Sequence, residues 1–254
     1  LVRSSVELVE EILASGAETC ALIAPSFPAE FTELEYRIFL GMVKALGFAF
    51  VNEVAFGADL VAERYRKLLE SNPESHYIGT NCPALINYVE MYHPELVGHL
   101  APVVSPMVAM ARAMRKLEGD HLKVVFIGPC IAKKSETDEP SVDGEVDAVL
   151  TFAELRAMFE KHGIDPGIVV PIEFDPPHAS LGALFPISRG MLQAADIKED
   201  FAAGEVITAS GRQSFQDALK EMESGGMDVR LLEILCCNGC IMGPGMTRSG
   251  RAHV

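Results

Sequence analysis

Apolar and polar positions follow two rhythms along this chain. Short unbroken apolar runs alternate with stretches in which apolar residues return every three or four positions. The first rhythm is that of strands buried on both faces, the second that of amphipathic helices. Helical spacing covers residues 4–15, with Val6, Val9, Ile12 and Leu13 in phase, then 29–46, closed by Gly47, then 57–70. Between them, residues 19–24 and 48–54 read as strands, and Pro25 stops the first. Residues 76–79 form a further short strand that runs into Thr80-Asn81-Cys82-Pro83. Pro83 suits the first turn of a helix that reaches Tyr92, and a loop with Pro102 and Pro106 leads to a helix over 107–117.

A second alternation begins at Leu122. Strands are expected over 123–127, 146–150, 205–209 and 230–235, and helices over 152–162 and 212–224. Four prolines in 165–177 predict an irregular connection, and residues 182–192 are apolar but punctuated by glycine. Strand-helix-strand order occurring twice predicts an α/β protein of two lobes, residues 1–120 and 121–254. Each lobe is expected to be a mostly parallel, twisted sheet with flanking helices. Ligands of open parallel sheets lie beyond the carboxyl ends of the strands, which is where Cys82, Cys130 and residues 236–240 are expected.

Composition narrows the function more than the fold. A net charge of −15 over 254 residues disfavours nucleic acid and anionic membrane surfaces, which need cationic partners. No apolar run approaches the length of a membrane span. Residues 1–16 read as an ordinary amphipathic helix rather than an export signal. A cytoplasmic, reducing setting follows, in which clustered thiols favour metal or redox chemistry over disulfides.

Three of the six cysteines fall in Leu235-Cys236-Cys237-Asn238-Gly239-Cys240-Ile241-Met242-Gly243-Pro244-Gly245. Thiolates suit soft metals, and glycines let backbone approach a bulky inorganic group. A cubane iron–sulfur cluster or a closed zinc site needs about four thiolates. The triplet supplies two or three of them; Cys82 and Cys130, each beside a proline at an expected strand end, supply the rest. Helix N-termini favour thiolate and anionic clusters. Cys20 sits inside an apolar strand and is read as core. Lys133 and Glu136 share a helical face with Cys130, and a lysine there can anchor an anionic ligand. His76, His93 and His99 read as surface or internally satisfied histidines, because four thiolates already complete a cubane. The acidic segment 136–145 reads as a solvated loop.

Thr80-Asn81-Cys82-Pro83, Gly128-Pro129-Cys130-x-x-Lys133-x-x-Glu136 and Glu233-x-x-x-Cys237-x-x-Cys240-x-x-Gly243 resemble the three signatures of the catalytic domain of iron-only (di-iron) hydrogenases. Residues 182–191, Gly-Ala-Leu-Phe-Pro-Ile-Ser-Arg-Gly-Met, are similar to a further segment of that family, and Ala24-Pro25-Ser26 to its opening strand-end loop. The resemblance implies two α/β lobes with an H-cluster in the cleft between them: a 4Fe-4S cubane joined through one cysteine to a di-iron unit with carbonyl, cyanide and dithiolate ligands. By position, Cys82, Cys130, Cys237 and Cys240 would hold the cubane, with Cys240 bridging. Lys133 would contact one cyanide, and Pro25 and Ser26 would lie near the other. Glu136 would pair with the lysine or shape the pocket wall. Gly128 would touch the di-iron unit and Phe185 would wall it. The implied activity is H2 ⇌ 2 H+ + 2 e−.

Three departures qualify the resemblance. Asn81 stands where the active enzymes carry a proton-relaying cysteine, and an amide has no useful proton affinity near neutral pH. Turnover should therefore be slow. The usual three-residue spacing would make Cys236, not Cys237, the partner of Cys240; the Glu233 register favours Cys237. Gly128 stands where the signature usually begins with methionine. These features resemble the sensory hydrogenases, which carry ferredoxin-like modules before this domain and a sensor module after it. The start at Leu1 without Met and the end at Val254 suit excision from such a protein. The competing readings are a non-catalytic iron–sulfur protein like the hydrogenase-like assembly factors, and a zinc-stabilised domain, which would be colourless.

Overall fold

Unbroken apolar runs become strands because both faces of a parallel sheet are covered. In the computed structural model, residues 3–197 and 206–247 are described. In chain order the elements are α1 (Val6–Ala14), β1 (Thr19–Ile23), α2 (Phe27–Glu30), α3 (Tyr36–Ala45), β2 (Phe50–Glu53), α4 (Val54–Ser71), β3 (Tyr77–Ile78) and α5 (Pro83–Tyr92). There follow α6 (Pro106–Glu118), β4 (Lys123–Gly128), α7 (Lys133–Glu136), β5 (Ala148–Thr151) and α8 (Phe152–Lys161). Last come α9 (Gly190–Ala194), β6 (Val206–Ser210), α10 (Arg212–Glu223) and β7 (Leu231–Leu235). Short 3-10 turns occupy Pro94–His99, Leu181–Leu184 and Cys240–Met242. Leu1, Glu205 and Val254, which figure in the sequence expectations, lie outside the described residues.

The strands form two sheets, ordered β2-β1-β4-β5 and β3-β7-β6, and every pairing is parallel. Two compact units follow: residues 3–54, 111–178 and 241–247, and residues 55–110, 179–197 and 206–240. An α/β architecture of parallel sheets with flanking helices is therefore present. A division at Gly119-Asp120 does not follow the sheets. β4 and β5, beyond that point, extend the sheet begun by β1 and β2, and β3, before it, pairs with β7. Sequential strands are neighbours in only about two-thirds of cases, and alternation alone does not say where a strand inserts.

The first unit is built on β1, whose five residues are all buried between β2 and β4. Its core continues into an aromatic cluster in which Phe39 stacks on Phe27 at 5.0 Å and Phe31 meets Phe39 at 4.5 Å and Phe152 at 5.7 Å. Each such pair adds about 0.5–1.5 kcal/mol beyond its buried area. This cluster explains why the single helix expected over 29–46 is broken. Phe31 turns inward at φ −105°, ψ 50°, and Glu30 is drawn in by Arg156, whose guanidinium also lies 4.4 Å above the Phe31 ring. Tertiary contacts outweigh helical propensity there.

The proline-rich connection is irregular, as its composition predicts, but it is tied down. The Asp175 N–H donates to the Val51 carbonyl at 2.9 Å, and the Asp175 carboxylate accepts from the Val51 N–H at 2.8 Å. The Asn52 amide donates to the carbonyls of Asp175 and Pro176, both at 2.9 Å. The open edge of β2 is thereby covered, one of the ordinary protections of an edge strand. Cys20 is fully buried beside β2, its thiol 3.2 Å from the Asn52 carboxamide oxygen; burial pushes this thiol well above its ordinary range.

Helix α8 opens on a capping box. The Thr151 hydroxyl accepts the Glu154 N–H, and the Glu154 carboxylate accepts the Thr151 N–H at 2.7 Å. Such a cap contributes about 1 kcal/mol. Burial pushes the Glu154 carboxyl up, but hydrogen bonds from Lys134, Thr151 and Ser5 more than offset this and hold it below its usual range. The same carboxylate thus ties α1 and α7 to α8.

The second unit packs α5 and α10 on its short sheet through Ile78, Leu85, Val89, Phe215, Leu219, Leu232 and Ile234. α4 covers another part through Val61, Tyr65 and Leu68, which meet Met191, Leu192 and Leu231. Among the described residues no helix is long and apolar enough to cross a membrane.

Candidate metal centre

Parallel strands deliver whatever follows them to one edge of the sheet, and the cysteines follow strands. In the second unit, β3 leads through Gly79 and Thr80 to Asn81 and Cys82. The Gly79 N–H donates to the Leu232 carbonyl at 2.9 Å, continuing the pairing with β7. The Thr80 N–H donates to the Tyr65 hydroxyl oxygen at 2.7 Å, and the two hydroxyls lie 3.0 Å apart. The Thr80 hydroxyl also reaches the carbonyls of Ala101 and Val103, at 3.1 and 2.7 Å. Tyr65 is fully buried, and burial pushes its hydroxyl up to about 12. Uncharged at neutral pH, it fixes the turn before Cys82 by hydrogen bonding alone.

Cys82 occupies the N-cap of α5 with extended backbone, φ −107° and ψ 106°, and Pro83 follows at the first helical position. The cysteine side chain makes no capping bond to the helix, and its half-buried body rests on the cluster around Ile78 and Leu85. Asn81 donates its amide to the Met191 sulfur at 3.0 Å, while its carboxamide oxygen is buried without a partner among the described residues.

β7, adjacent to β3, delivers the thiol loop. The Cys237 carbonyl accepts from the Gly211 N–H at 3.1 Å, the Ser210 hydroxyl at 3.0 Å and the Gly239 N–H at 2.8 Å. The Cys240 N–H donates to the Pro186 carbonyl at 2.7 Å. Hydrogen bonds of the backbone therefore hold the loop in place. Burial raises the Cys237 thiol above its ordinary range, and the neighbouring Cys82 raises it further. A bound cation would offset both effects at Cys237, because it favours the thiolate. Cys236 rests with Cys82 against the apolar cluster. Phe185 is half-buried against the cluster that contains Met191 and Leu192.

The first unit holds the remaining expected residues. β1 and β4 are neighbours, and the Ala24 N–H donates to the Ile127 carbonyl at 2.8 Å. Pro25-Ser26 and Pro129-Cys130 consequently follow the ends of adjacent strands. Ser26 is 2% exposed and its hydroxyl has no partner among the described residues. Lys133 and Glu136, 7% and 9% exposed, form a buried ion pair at 2.5 Å on α7. Two glycines are required by close approach. A Cβ on Gly128 would lie 2.6 Å from the Phe126 ring and 2.9 Å from the Ala24 Cβ. A Cβ on Gly245 would lie 2.7 Å from the Pro129 carbonyl oxygen, which accepts the Gly245 N–H at 2.7 Å.

Sequence reasoning missed the Tyr65–Thr80 lock and the bond from the Met191 N–H to the Glu233 carboxylate, 3.2 Å. Glu233 is 5% exposed in the all-buried strand β7. An acid flanked by Leu231, Leu232, Ile234 and Leu235 was a usable signal of a buried polar contact. Tyr65 carried none, since any aromatic would satisfy the helical pattern.

Comparisons with known proteins bear on the family and the fold. The family described as iron only hydrogenase large subunit, C-terminal domain, matches residues 17–244. The periplasmic Fe hydrogenase large subunit of Nitratidesulfovibrio vulgaris is 34% identical over 146 residues, covering 50% of this chain and 34% of that protein. Cytosolic iron-sulfur assembly component 3 of Rattus norvegicus is 21% identical over 297 residues, 94% of this chain and 62% of that protein. The cytosolic Fe-S cluster assembly factor NAR1 of Yarrowia lipolytica is 23% identical over 66% of this chain and 38% of its own length. The chain thus spans roughly one- to two-thirds of the length of these curated relatives. Apo FeFe-hydrogenase HydA1 from Chlamydomonas reinhardtii shares the fold, with a TM-score of 0.77 at 19% identity over 97% of this chain and 85% of that chain. With the match running over nearly its whole length, this chain belongs to the family formed by the C-terminal domain of the iron-only hydrogenase large subunit.

Proposed function

We propose that this chain is an H-cluster-holding domain that activates H2 slowly and serves as a hydrogen or redox sensor. The observation that carries this reading is the pair of buried donors after neighbouring strands, the Ser26 hydroxyl and the Lys133 ammonium. A cubane needs only thiolates. Buried donors beside the Pro129-Cys130 strand end have a purpose if anionic ligands are to be bound as well, since an unmet buried hydroxyl costs about 1–3 kcal/mol. The donor set therefore fits the H-cluster.

In this reading Cys82, Cys130, Cys237 and Cys240 hold a 4Fe-4S cubane. Cys237 is preferred to Cys236 because the Glu233 register of the signature falls on it, and its thiol interacts electrostatically with that of Cys82. Ser26 and Lys133 orient cyanide ligands, Glu136 holds the lysine, and Pro25, Gly128 and Phe185 shape and dry the pocket. When bound, the di-iron unit would supply the chemistry by which H2 is split or formed. Asn81 donates to the Met191 sulfur and cannot relay a proton, which is the basis for slow turnover. Electrons would pass to ferredoxin-like modules and the signal to a sensor module, in a cytoplasmic setting.

The alternative is an iron–sulfur protein without hydrogen chemistry. It is favoured by Asn81 and by likeness to the assembly factors over as much as 94% of this chain. Infrared spectroscopy after maturation with a synthetic di-iron precursor separates the two. Carbonyl and cyanide bands are expected. A protein that holds a cubane yet shows neither band belongs to the alternative.

A further inference from the structure

We propose that His93, Glu95 and Glu223 form a separate site for a divalent first-row cation, best suited to zinc. One ligand atom from each of the three residues lies within 4.8 Å of the other two. The residues come from separate elements of the second unit. His93 is the C-cap of α5, Glu95 lies in the 3-10 turn Pro94–His99, and Glu223 is the last residue of α10.

The imidazole is placed before any ion arrives. His93 is 6% exposed, its N–H donates to the Val89 carbonyl at 2.8 Å, and its carbonyl accepts the Leu96 N–H at 2.8 Å. Its ring lies against Tyr88, centroids 5.6 Å apart, and Tyr88 in turn meets Phe215 of α10 edge-on at 5.1 Å. Histidine Nδ1 is 2.8 Å from a Glu223 carboxylate oxygen. An ordinary histidine–glutamate bond would account for those two groups. It does not account for Glu95, which brings a second carboxylate to the same point. Glu223 also sits at the carboxyl end of a 12-residue helix, where the backbone dipole disfavours negative charge. Two carboxylates and a helix terminus of like sign around one imidazole call for a cation.

The donor set selects its class. Imidazole with carboxylates suits zinc and its first-row neighbours, whereas magnesium and calcium take oxygen. Ligand bonds of about 2.0–2.2 Å require the three donor atoms to draw somewhat closer together than they now lie. The two carboxylates are exposed and can rotate to do so, while the buried ring stays in place. Three protein ligands leave a fourth position for water or an external donor. Such an ion would clamp the end of α5, the helix that starts at Cys82, to α10. The hard oxygen donors distinguish this site from the thiolate centre, and the inference does not depend on the hydrogenase reading.

The test is a titration of the intact chain with Zn2+ against a chromophoric chelator, comparing wild type with variants so that whatever the cysteines bind is subtracted. Wild type is expected to take up one equivalent more than Glu95→Gln/Glu223→Gln, or to hold that equivalent at least about tenfold more tightly, the scale on which even supporting groups affect metal sites. His93→Gln should lose the equivalent, and Glu74→Gln, an exposed acid outside the cluster, should keep it. If His93→Gln fails to fold, the exposed carboxylate pair decides alone. Equal stoichiometry and affinity in wild type and the double variant would overturn the proposal.

Discussion

Replacing Lys133 by methionine is expected to lower the stability of the metal-free protein by about 3 kcal/mol or more, because it strands the Glu136 charge in the interior. The two groups are 7% and 9% exposed and bonded at 2.5 Å. An ion pair this deep gains little net free energy over an apolar pair of the same volume, so its presence is not explained by stability. The double variant Lys133→Met/Glu136→Met should therefore recover most of the loss. Urea denaturation of the three proteins reads both effects. A single variant as stable as wild type would show that the pair is solvated and that the lysine is not held in reserve for an anionic ligand. The same double variant, though stable, should show weakened retention of the di-iron unit after maturation.

Asn81→Cys is expected to raise hydrogen turnover of the matured protein by about a hundredfold or more, the range in which a positioned acid or base contributes. The present amide donates to the Met191 sulfur at 3.0 Å and buries its oxygen without a partner among the described residues. It occupies the place but moves no proton. A thiol, with an ordinary pKa of about 8.5, is smaller and can both give and take one. Because the Tyr65–Thr80 bonds fix the preceding turn independently of residue 81, the exchange should leave the infrared bands unchanged. Unchanged turnover with unchanged bands would place the limiting step elsewhere.

Much of the strand framework was legible because buried parallel strands leave an unmistakable trace: the apolar run of β1 and the buried β7 are cases. The family was legible because thiols, prolines and glycines cluster in its signature order at the ends of those strands. Strand order was not, since β4 inserts beside β1 by a choice that no local pattern records. Nor was the break between α2 and α3, where Arg156, distant in sequence, captures Glu30 and covers Phe31. Gly128 was read as an altered pocket residue. The structure adds that the Phe126 ring and Ala24 already fill the space a side chain there would need. Cys20 was read as core from its apolar setting, and its contact with the Asn52 amide was invisible because the partner lies on another strand.

Four cysteines serving one cluster is the central claim, and iron counting with electron paramagnetic resonance of the reduced protein tests it most directly. Wild type reconstituted with iron and sulfide should bind about four irons per chain and give the signal of a reduced cubane. Cys130→Ala and Cys237→Ala should each lose that signal, while Cys236→Ala and Cys20→Ala keep it. A Cys130→Ala protein with full iron and an unaltered spectrum would contradict the claim.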